Sequence, residues 1–304
     1  MKPDSLTRHF MSKSWFIIGI SLLSYLTVVA QKEAPLRNIV LVHGAWADGS
    51  GWKGVYEILV KDSYNVSIVQ EPETSFKEDV AATKRMIAQQ DGPCVVVAHS
   101  YGGSVITEAA NDPKVMALVY VAAHMPDAGE SEAEDGKRFP SDLSTSTAIK
   151  KTTDGFTYLD PAQFHEYFAA DLPNELAAFM ARSQVLNFAD NFNAVITTPA
   201  WRSKPSWMLV PTKDRTINPD LERWYAARAK SQMVEVSGAS HCVYVSRPKE
   251  VASVIEQAAS HARRTSRLIP AERFLEISNA TDPPCTSLRR GSYECILSSI
   301  QKSH

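Results

Sequence analysis

The sequence has few cysteines and almost no net charge, and each of these features excludes some classes of function. The 304 residues include four cysteines, at spacings that match no zinc or haem template. The formal net charge is -2 and no long basic run occurs, so nothing favours a nucleic-acid partner. Internal repeats are absent. Apolar residues make up 44% and charged residues 22%, which is ordinary for a globular protein.

Long apolar runs are also scarce, and the longest lies at the N-terminus. Basic residues precede the uncharged stretch 14–30, which ends in the small residue Ala30. This order is typical of a secretory signal peptide, so we expect residues 1–30 to be cleaved and the protein to be exported, to a periplasm or outside the cell. The alternatives are an uncleaved membrane anchor, because the run almost reaches bilayer-spanning length, and a buried core helix.

Export would place the cysteines in an oxidising compartment, where disulfides persist. Cys285 and Cys295 are close in sequence within a polar, serine-rich tail, 265–304, and could pair. We expect this tail to be weakly ordered. Cys94 opens an apolar segment and is predicted to be a small buried residue instead.

Between about residues 37 and 264, apolar strands alternate with helices. This order predicts an α/β fold with a mostly parallel sheet flanked by helices. Strands are predicted at 38–43, 66–70, 94–98, 115–122, 206–210 and 233–236. Helices are predicted at 52–60, 76–90, 103–111, 220–230 and 248–264.

The alternation stops between about residues 125 and 200. No convincing strand occurs there, and helical patterns cover 161–170 and 174–186. We expect a helical cap above the carboxyl ends of the strands, where α/β sheets bind ligands.

A serine lies where the third predicted strand meets the next helix. Ser100 stands in the run AHSYGG, 98–103. A nucleophile elbow needs small residues two positions before and after its serine, because the chain turns sharply there, and Ala98 and Gly102 are small. We predict that Ser100 is a nucleophile; the alternative is a serine that caps the helix. His99 would point away from Ser100 and is interpreted as structural.

A serine hydroxyl needs a base, and His241 is the best placed of the eight histidines. It follows the predicted strand 233–236, in a loop at the edge where catalytic side chains gather; an ordinary surface histidine is the alternative. His165, in the predicted cap, and His261, beyond the last strand, are poorer bases.

The third member of such a site is a carboxylate that orients the imidazole. Asp214 follows the predicted strand 206–210, so Ser100, Asp214 and His241 occur in the order Ser, Asp, His. Asp220 is the second candidate, although its position after Pro219 suits the first turn of a helix.

Two backbone amides must stabilise the oxyanion of such a reaction. One is predicted to be that of Tyr101, which follows the nucleophile. The other should come from the loop after the first strand, and Ala45 is the first candidate, with Trp46 the second. Trp52, further along, is interpreted as a core residue.

With these residues assembled, the chain resembles the α/β-hydrolase superfamily from about residue 37 to residue 264. The run LVHGAWADGSGW, 41–52, looks like the opening of a bacterial esterase-like group that is similar to plant methylesterases and hydroxynitrile lyases. The resemblance implies an eight-stranded sheet, a helical lid and the triad named above.

Two positions depart from the lyase pattern. Those lyases typically have threonine where this chain has Gly44, and lysine after the catalytic histidine where this chain has Cys242. Without that lysine nothing obvious stabilises a cyanide leaving group, so hydrolysis is favoured. Cys242 is interpreted as a packing residue.

The expected reaction is therefore hydrolysis of small, fairly apolar carboxylic esters, with no metal or organic cofactor. The apolar preference rests on cap aromatics that could equally form the core of the cap: Phe164, Tyr167, Phe168, Phe179, Phe188 and Phe192. Alternatives are lactone, amide or carbon–carbon bond hydrolysis, a perhydrolase-type reaction, and a non-catalytic ligand-binding protein. A membrane partner is expected only if the N-terminal segment is uncleaved.

Overall fold

The computed structural model describes residues 36–266. The predicted signal peptide or anchor and the cysteine pair 285–295 lie outside these residues, as does the predicted tail except for the last two residues of a helix. Within residues 36–266, no helix combines the length and the apolar character that crossing a bilayer requires.

Strands and helices alternate in the predicted order. The strands are β1 (Asn38–Val42), β2 (Asn65–Ile68), β3 (Cys94–Ser100), β4 (Val115–Ala123), β5 (Ile149–Lys151), β6 (Phe156–Leu159), β7 (Asn187–Phe188), β8 (Ser206–Pro211) and β9 (Gln232–Val236). The helices are α1 (Lys53–Lys61), α2 (Phe76–Ala88), α3 (Gly102–Ala109), α4 (Glu132–Arg138), α5 (Phe164–Tyr167), α6 (Asn174–Met180), α7 (Pro219–Ala229), α8 (Val243–Ser246) and α9 (Pro248–Ser266).

The described part of the central sheet has six parallel strands in the order β2-β1-β3-β4-β8-β9. They correspond to the six predicted strands, which confirms the predicted α/β fold with a mostly parallel sheet. The expectation of eight strands is wrong for residues 36–266. After β4, the next three strands pair with one another in the cap and so do not extend the central sheet.

The valine-rich strands are buried because helices cover both faces of the sheet. Val95 and Val97 of β3 pack in one layer with Val251 of α9, whereas Val96 packs in the opposite layer with Leu221 of α7. Alternate residues of a strand point to opposite faces, so a continuous apolar run supplies both layers. This burial positions the end of β3 firmly in the middle of the sheet.

The cap contains a small antiparallel sheet, β5-β6-β7, beside its helices. The expectation that residues 125–200 contain no strand is therefore wrong. These strands are two to four residues long, too short for an alternating pattern to be recognised. The helices α5 and α6 lie within the predicted helical stretches but are shorter.

The strand order reverses at the centre of the sheet, where β1 has β2 on one side and β3 on the other. The connections that leave β1 and β3 consequently diverge, and a crevice opens at their carboxyl ends. The loop after β1 and the residue Ser100 both lie at this edge.

Candidate active site

Ser100 ends β3 in a left-handed conformation, with φ of 55°. A non-glycine residue is rarely found there, and the close packing around it holds the turn. A side chain at Gly102 would overlap the carbonyl oxygen of His43, and one at Gly103 would overlap that of His124. The two glycines therefore allow α3 to start directly after the turn.

The structure brings the three predicted side chains together. His241 Nε2 lies 2.9 Å from Ser100 Oγ, and His241 Nδ1 lies 2.7 Å from Asp214 Oδ2. The other carboxylate oxygen of Asp214 accepts hydrogen bonds from the amides of Thr216 and Ile217. We infer from this network that Nδ1 carries the proton, so Nε2 can accept the proton of the serine hydroxyl.

His99 lies behind this arrangement rather than in it. Its Nε2 is 3.0 Å from the backbone carbonyl oxygen of His241, and its ring packs on those of His241 and Tyr244. Burial lowers the pKa of His99 well below its usual value, so the ring stays neutral. This placement agrees with the structural interpretation.

The second candidates lie elsewhere. Asp220 is in the first turn of α7, with a 66% exposed side chain paired to Arg223. His165 Nε2 lies 3.0 Å from the carbonyl oxygen of Leu172, within the cap. The ring of His261 packs against Trp207.

The described cysteines are both buried and free. Burial raises the pKa of Cys242 well above its usual value and that of Cys94 to about 12, so both thiols are protonated at neutral pH. Both therefore suit the packing role predicted for them. Trp52 is also fully buried, as predicted.

A fully buried carboxyl lies near Asp214. Burial, together with the negative charge of Asp214, raises the pKa of Glu222 well above its usual value. The raised pKa favours the neutral form of Glu222, so a second negative charge close to Asp214 is disfavoured.

Hydrogen bonding in the loop after β1 differs between the two candidate amides. The N–H of Trp46 donates to Glu73 Oε2 over 3.2 Å, so it is occupied. Among residues 36–266, the N–H groups of Ala45 and Tyr101 have no hydrogen-bond acceptor, and both residues line the cavity beside Ser100. Ala45 and Tyr101 are thus the candidate pair.

Gly44 allows this loop to approach the nucleophile. A Cβ atom at position 44 would lie 2.6 Å from Ser100 Cβ and 2.9 Å from the carbonyl oxygen of His99. The threonine of the lyase pattern would require the backbone to shift here.

A cavity of about 480 Å³ opens beside Ser100. Its apolar lining includes Trp46, Phe139, Leu143, Phe192, Ile217 and Leu221. Of the six predicted cap aromatics, Phe192 alone lines this cavity, whereas Phe164 and Phe168 are buried in the cap and Phe179 is 67% exposed. The argument from cap aromatics was therefore wrong for most of them, because they form the core or the outer surface of the cap.

Known proteins support the same fold. The sequence profile of the alpha/beta hydrolase family matches residues 39–254. The chain belongs to this family.

Two curated relatives bear hydrolase or esterase names. "Probable hydrolase R7" of Phoma sp. is 27% identical over 208 residues, which cover 62% of this chain and 80% of that protein. "Putative methylesterase 19" of Arabidopsis thaliana is 24% identical over 256 residues, which cover 73% of this chain and 97% of that protein. These names support ester hydrolysis at a coarse level for this α/β hydrolase.

The crystal structure of polyneuridine aldehyde esterase superposes with a TM-score of 0.64 at 17% identity, over 73% of this chain and 98% of that one. At this identity the likeness concerns the fold alone.

Two buried acids that sequence reasoning missed support the candidate oxyanion amides of this α/β hydrolase. Asp79 Oδ2 accepts a hydrogen bond from the hydroxyl of Tyr101 over 2.7 Å, and Asp79 Oδ1 accepts one from the N–H of Glu73 over 2.8 Å. Glu73 in turn accepts from Trp46. Asp79 and Glu73 thus connect Tyr101 to the loop that follows β1. No sequence signal distinguishes these two acids from the exposed acids around them.

A second missed pair lies in the cavity wall. His124 directly follows β4, and that position at the end of a buried strand was a usable signal. Glu132, at the start of α4, is 7% exposed and carries no such signal. Burial raises the pKa of Glu132 to about 8 and lowers that of His124 to about 3. Residues 36–266 contain no cluster of His, Cys, Asp and Glu arranged to hold a metal ion.

Proposed function

We propose that the protein is a serine hydrolase that cleaves small, largely apolar carboxylic esters through an acyl-enzyme intermediate. The observation that carries this proposal is the chain of two hydrogen-bond distances, 2.9 Å from Ser100 to His241 and 2.7 Å from His241 to Asp214. A cavity of about 480 Å³ falls in the range that small ligands occupy.

In the acylation step, Ser100 Oγ attacks the ester carbonyl carbon while His241 Nε2 takes the hydroxyl proton. Asp214 stabilises the imidazolium that forms. The negative charge on the carbonyl oxygen is stabilised by the amides of Ala45 and Tyr101, since those donors are free.

The tetrahedral intermediate then collapses. The bond to the alcohol oxygen breaks, and His241 donates its proton to that oxygen, which leaves the acyl group on Ser100. Water attacks the acyl carbon, gives a proton to His241, and releases the acid as that proton returns to Ser100. Apart from the ester and water, every group used in these steps is a residue of this chain.

Replacing the nucleophile tests the proposal. Ser100→Ala should lower kcat/KM for a short-chain nitrophenyl ester by at least about a thousandfold, because no other group can form the acyl-enzyme. A serine-reactive phosphonate should label the folded wild-type protein at Ser100 but not this variant. The substitution Ser253→Ala on the exposed face of α9 is the matched control and should keep full rate and labelling.

Wild-type rate in Ser100→Ala, or phosphonate labelling elsewhere, would contradict the proposal. A panel of esters, lactones and amides under the same conditions then separates ester hydrolysis from other reactions at the same serine.

A further inference from the structure

Two polar side chains beside Ser100, those of His124 and Glu132, can each form a further hydrogen bond. The backbone N–H of His124 donates to the carbonyl oxygen of Ser100 over 3.2 Å, which holds His124 next to the nucleophile. Glu132 Oε1 lies 3.9 Å from His124 Nε2, too far for a hydrogen bond between them. Both residues line the cavity. Within the described part of the chain, neither of these two atoms has a hydrogen-bond partner.

The groups behind His124 indicate which ring nitrogen carries the proton. The hydroxyl of Tyr225 donates to Asp135 Oδ2 over 2.9 Å, so its oxygen is left to accept from His124 Nδ1, at 3.4 Å. Nδ1 therefore bears the hydrogen and Nε2 has a free lone pair. Because burial lowers the pKa of His124 to about 3, the ring is neutral and Nε2 is an acceptor.

Glu132 supplies the complementary donor. Its Oε2 accepts a hydrogen bond from the hydroxyl of Ser104 over 2.7 Å. Burial raises its pKa to about 8, so most of the carboxyl is protonated near neutral pH, and the proton belongs on Oε1 because Oε2 is already an acceptor. One donor and one acceptor thus lie 3.9 Å apart in the cavity wall.

We propose that Glu132 and His124 form a subsite for a hydroxyl group that the substrate carries near its scissile bond, so that hydroxylated esters are preferred. The hydroxyl oxygen accepts from Glu132 Oε1 and its hydrogen is donated to His124 Nε2. An oxygen about 2.8 Å from both atoms fits between them. A methoxy group can accept but not donate, and a hydrocarbon group can do neither. This inference rests on the proposed ester hydrolysis at Ser100.

The test compares matched methyl esters: butyrate, its 2- and 3-hydroxy derivatives, and the corresponding methoxy derivatives. The wild-type protein should hydrolyse one of the hydroxy esters with a kcat/KM about tenfold above both its methoxy and its unsubstituted counterparts. Equal values for the three kinds of ester would overturn the subsite.

Substitutions at Glu132 assign the preference to this residue. Glu132→Leu should bring the hydroxy-to-unsubstituted ratio to about one, whereas Glu132→Gln, which keeps an N–H donor and a carbonyl acceptor for Ser104, should retain most of the preference. Glu134→Gln, an exposed acid on the same helix, is the matched control and should leave the ratio unchanged. A ratio that survives in Glu132→Leu would contradict the assignment.

Calorimetric binding of the same esters to Ser100→Ala separates the two proposals. One outcome is that the wild type hydrolyses no ester while Ser100→Ala binds a hydroxy ester more tightly than its methoxy and unsubstituted counterparts. That outcome would overturn the proposed function and support the subsite. Hydrolysis of all the esters at equal rates would overturn the subsite and support the proposed function.

Discussion

Buried carboxyl groups lie at both walls of the cavity, but the groups are used differently. Behind the oxyanion wall, formed by the loop 43–46 and Tyr101, both oxygens of Asp79 accept hydrogen bonds from the protein. In the α4 wall, formed by His124 and Glu132, one carboxyl oxygen is left for the cavity. A buried acid with both oxygens occupied positions the backbone, and one with a free oxygen can contact a ligand.

The largest effect in this comparison is expected from the oxyanion wall. Asp79→Ala removes the acceptor of the Tyr101 hydroxyl and of the Glu73 amide, so both candidate oxyanion amides should lose their fixed positions. Donors that act in the transition state affect kcat more than KM, and we expect kcat to fall about a hundredfold with little change in KM. Steady-state kinetics on a short-chain ester measure this split.

The exposed neighbour Glu78 provides the control for that variant, since Glu78→Gln changes an acid on the same helix without touching Tyr101. A rise in KM at unchanged kcat in Asp79→Ala would show that Asp79 acts on substrate binding rather than on the position of the amides.

A smaller effect is expected from the charge state of the α4 wall. The pKa of Glu132 is raised from 4.5 to about 8 in the folded protein, so its contribution to stability is complete below pH 4.5 and is lost as the pH rises through about 8. Relative to wild type, Glu132→Gln should therefore gain unfolding free energy on the order of 3 kcal/mol between pH 5 and pH 8. Urea unfolding of both proteins at both pH values measures the difference in unfolding free energy. The same difference at pH 5 and pH 8 would mean that the pKa of Glu132 is not raised.

The smallest effect is expected at the solvent end of the same wall. Lys137 lines the cavity but its side chain is 70% exposed and pairs with the exposed Glu134. Exposed ion pairs contribute about 0–1 kcal/mol, so Lys137→Met should change the urea midpoint only slightly and kcat/KM less than about threefold. A change as large as that of Glu132→Leu in the hydroxy-ester ratio would move the proposed subsite from Glu132 to the rim.

Much of the fold could be predicted because its signals are local. Val95, Val96 and Val97 form a continuous apolar run, which is what a strand buried on both faces requires. The strands of the cap are too short for such a pattern, and their pairing, for example Thr157 with Asn187, depends on contacts between segments far apart in the chain.

The candidate triad could be predicted for a similar reason. Ser100, Asp214 and His241 each follow a recognisable strand, and parallel strands bring their carboxyl ends to one edge. Their order along the chain was therefore enough to place them together.

The sequence by itself determined the order of strands and helices along the chain, the glycines of the turn at Ser100 and the three candidate triad residues. Only the tertiary structure decided which acids are buried and what faces their oxygens. Glu132 and Glu134 are two residues apart and identical in type, yet one is 7% exposed and the other has a side chain that is 63% exposed. Burial of Glu132 depends on neighbours from distant segments, such as Ser104 of α3 and His124 after β4. Packing between distant segments leaves no periodic trace in the sequence around a single acidic residue.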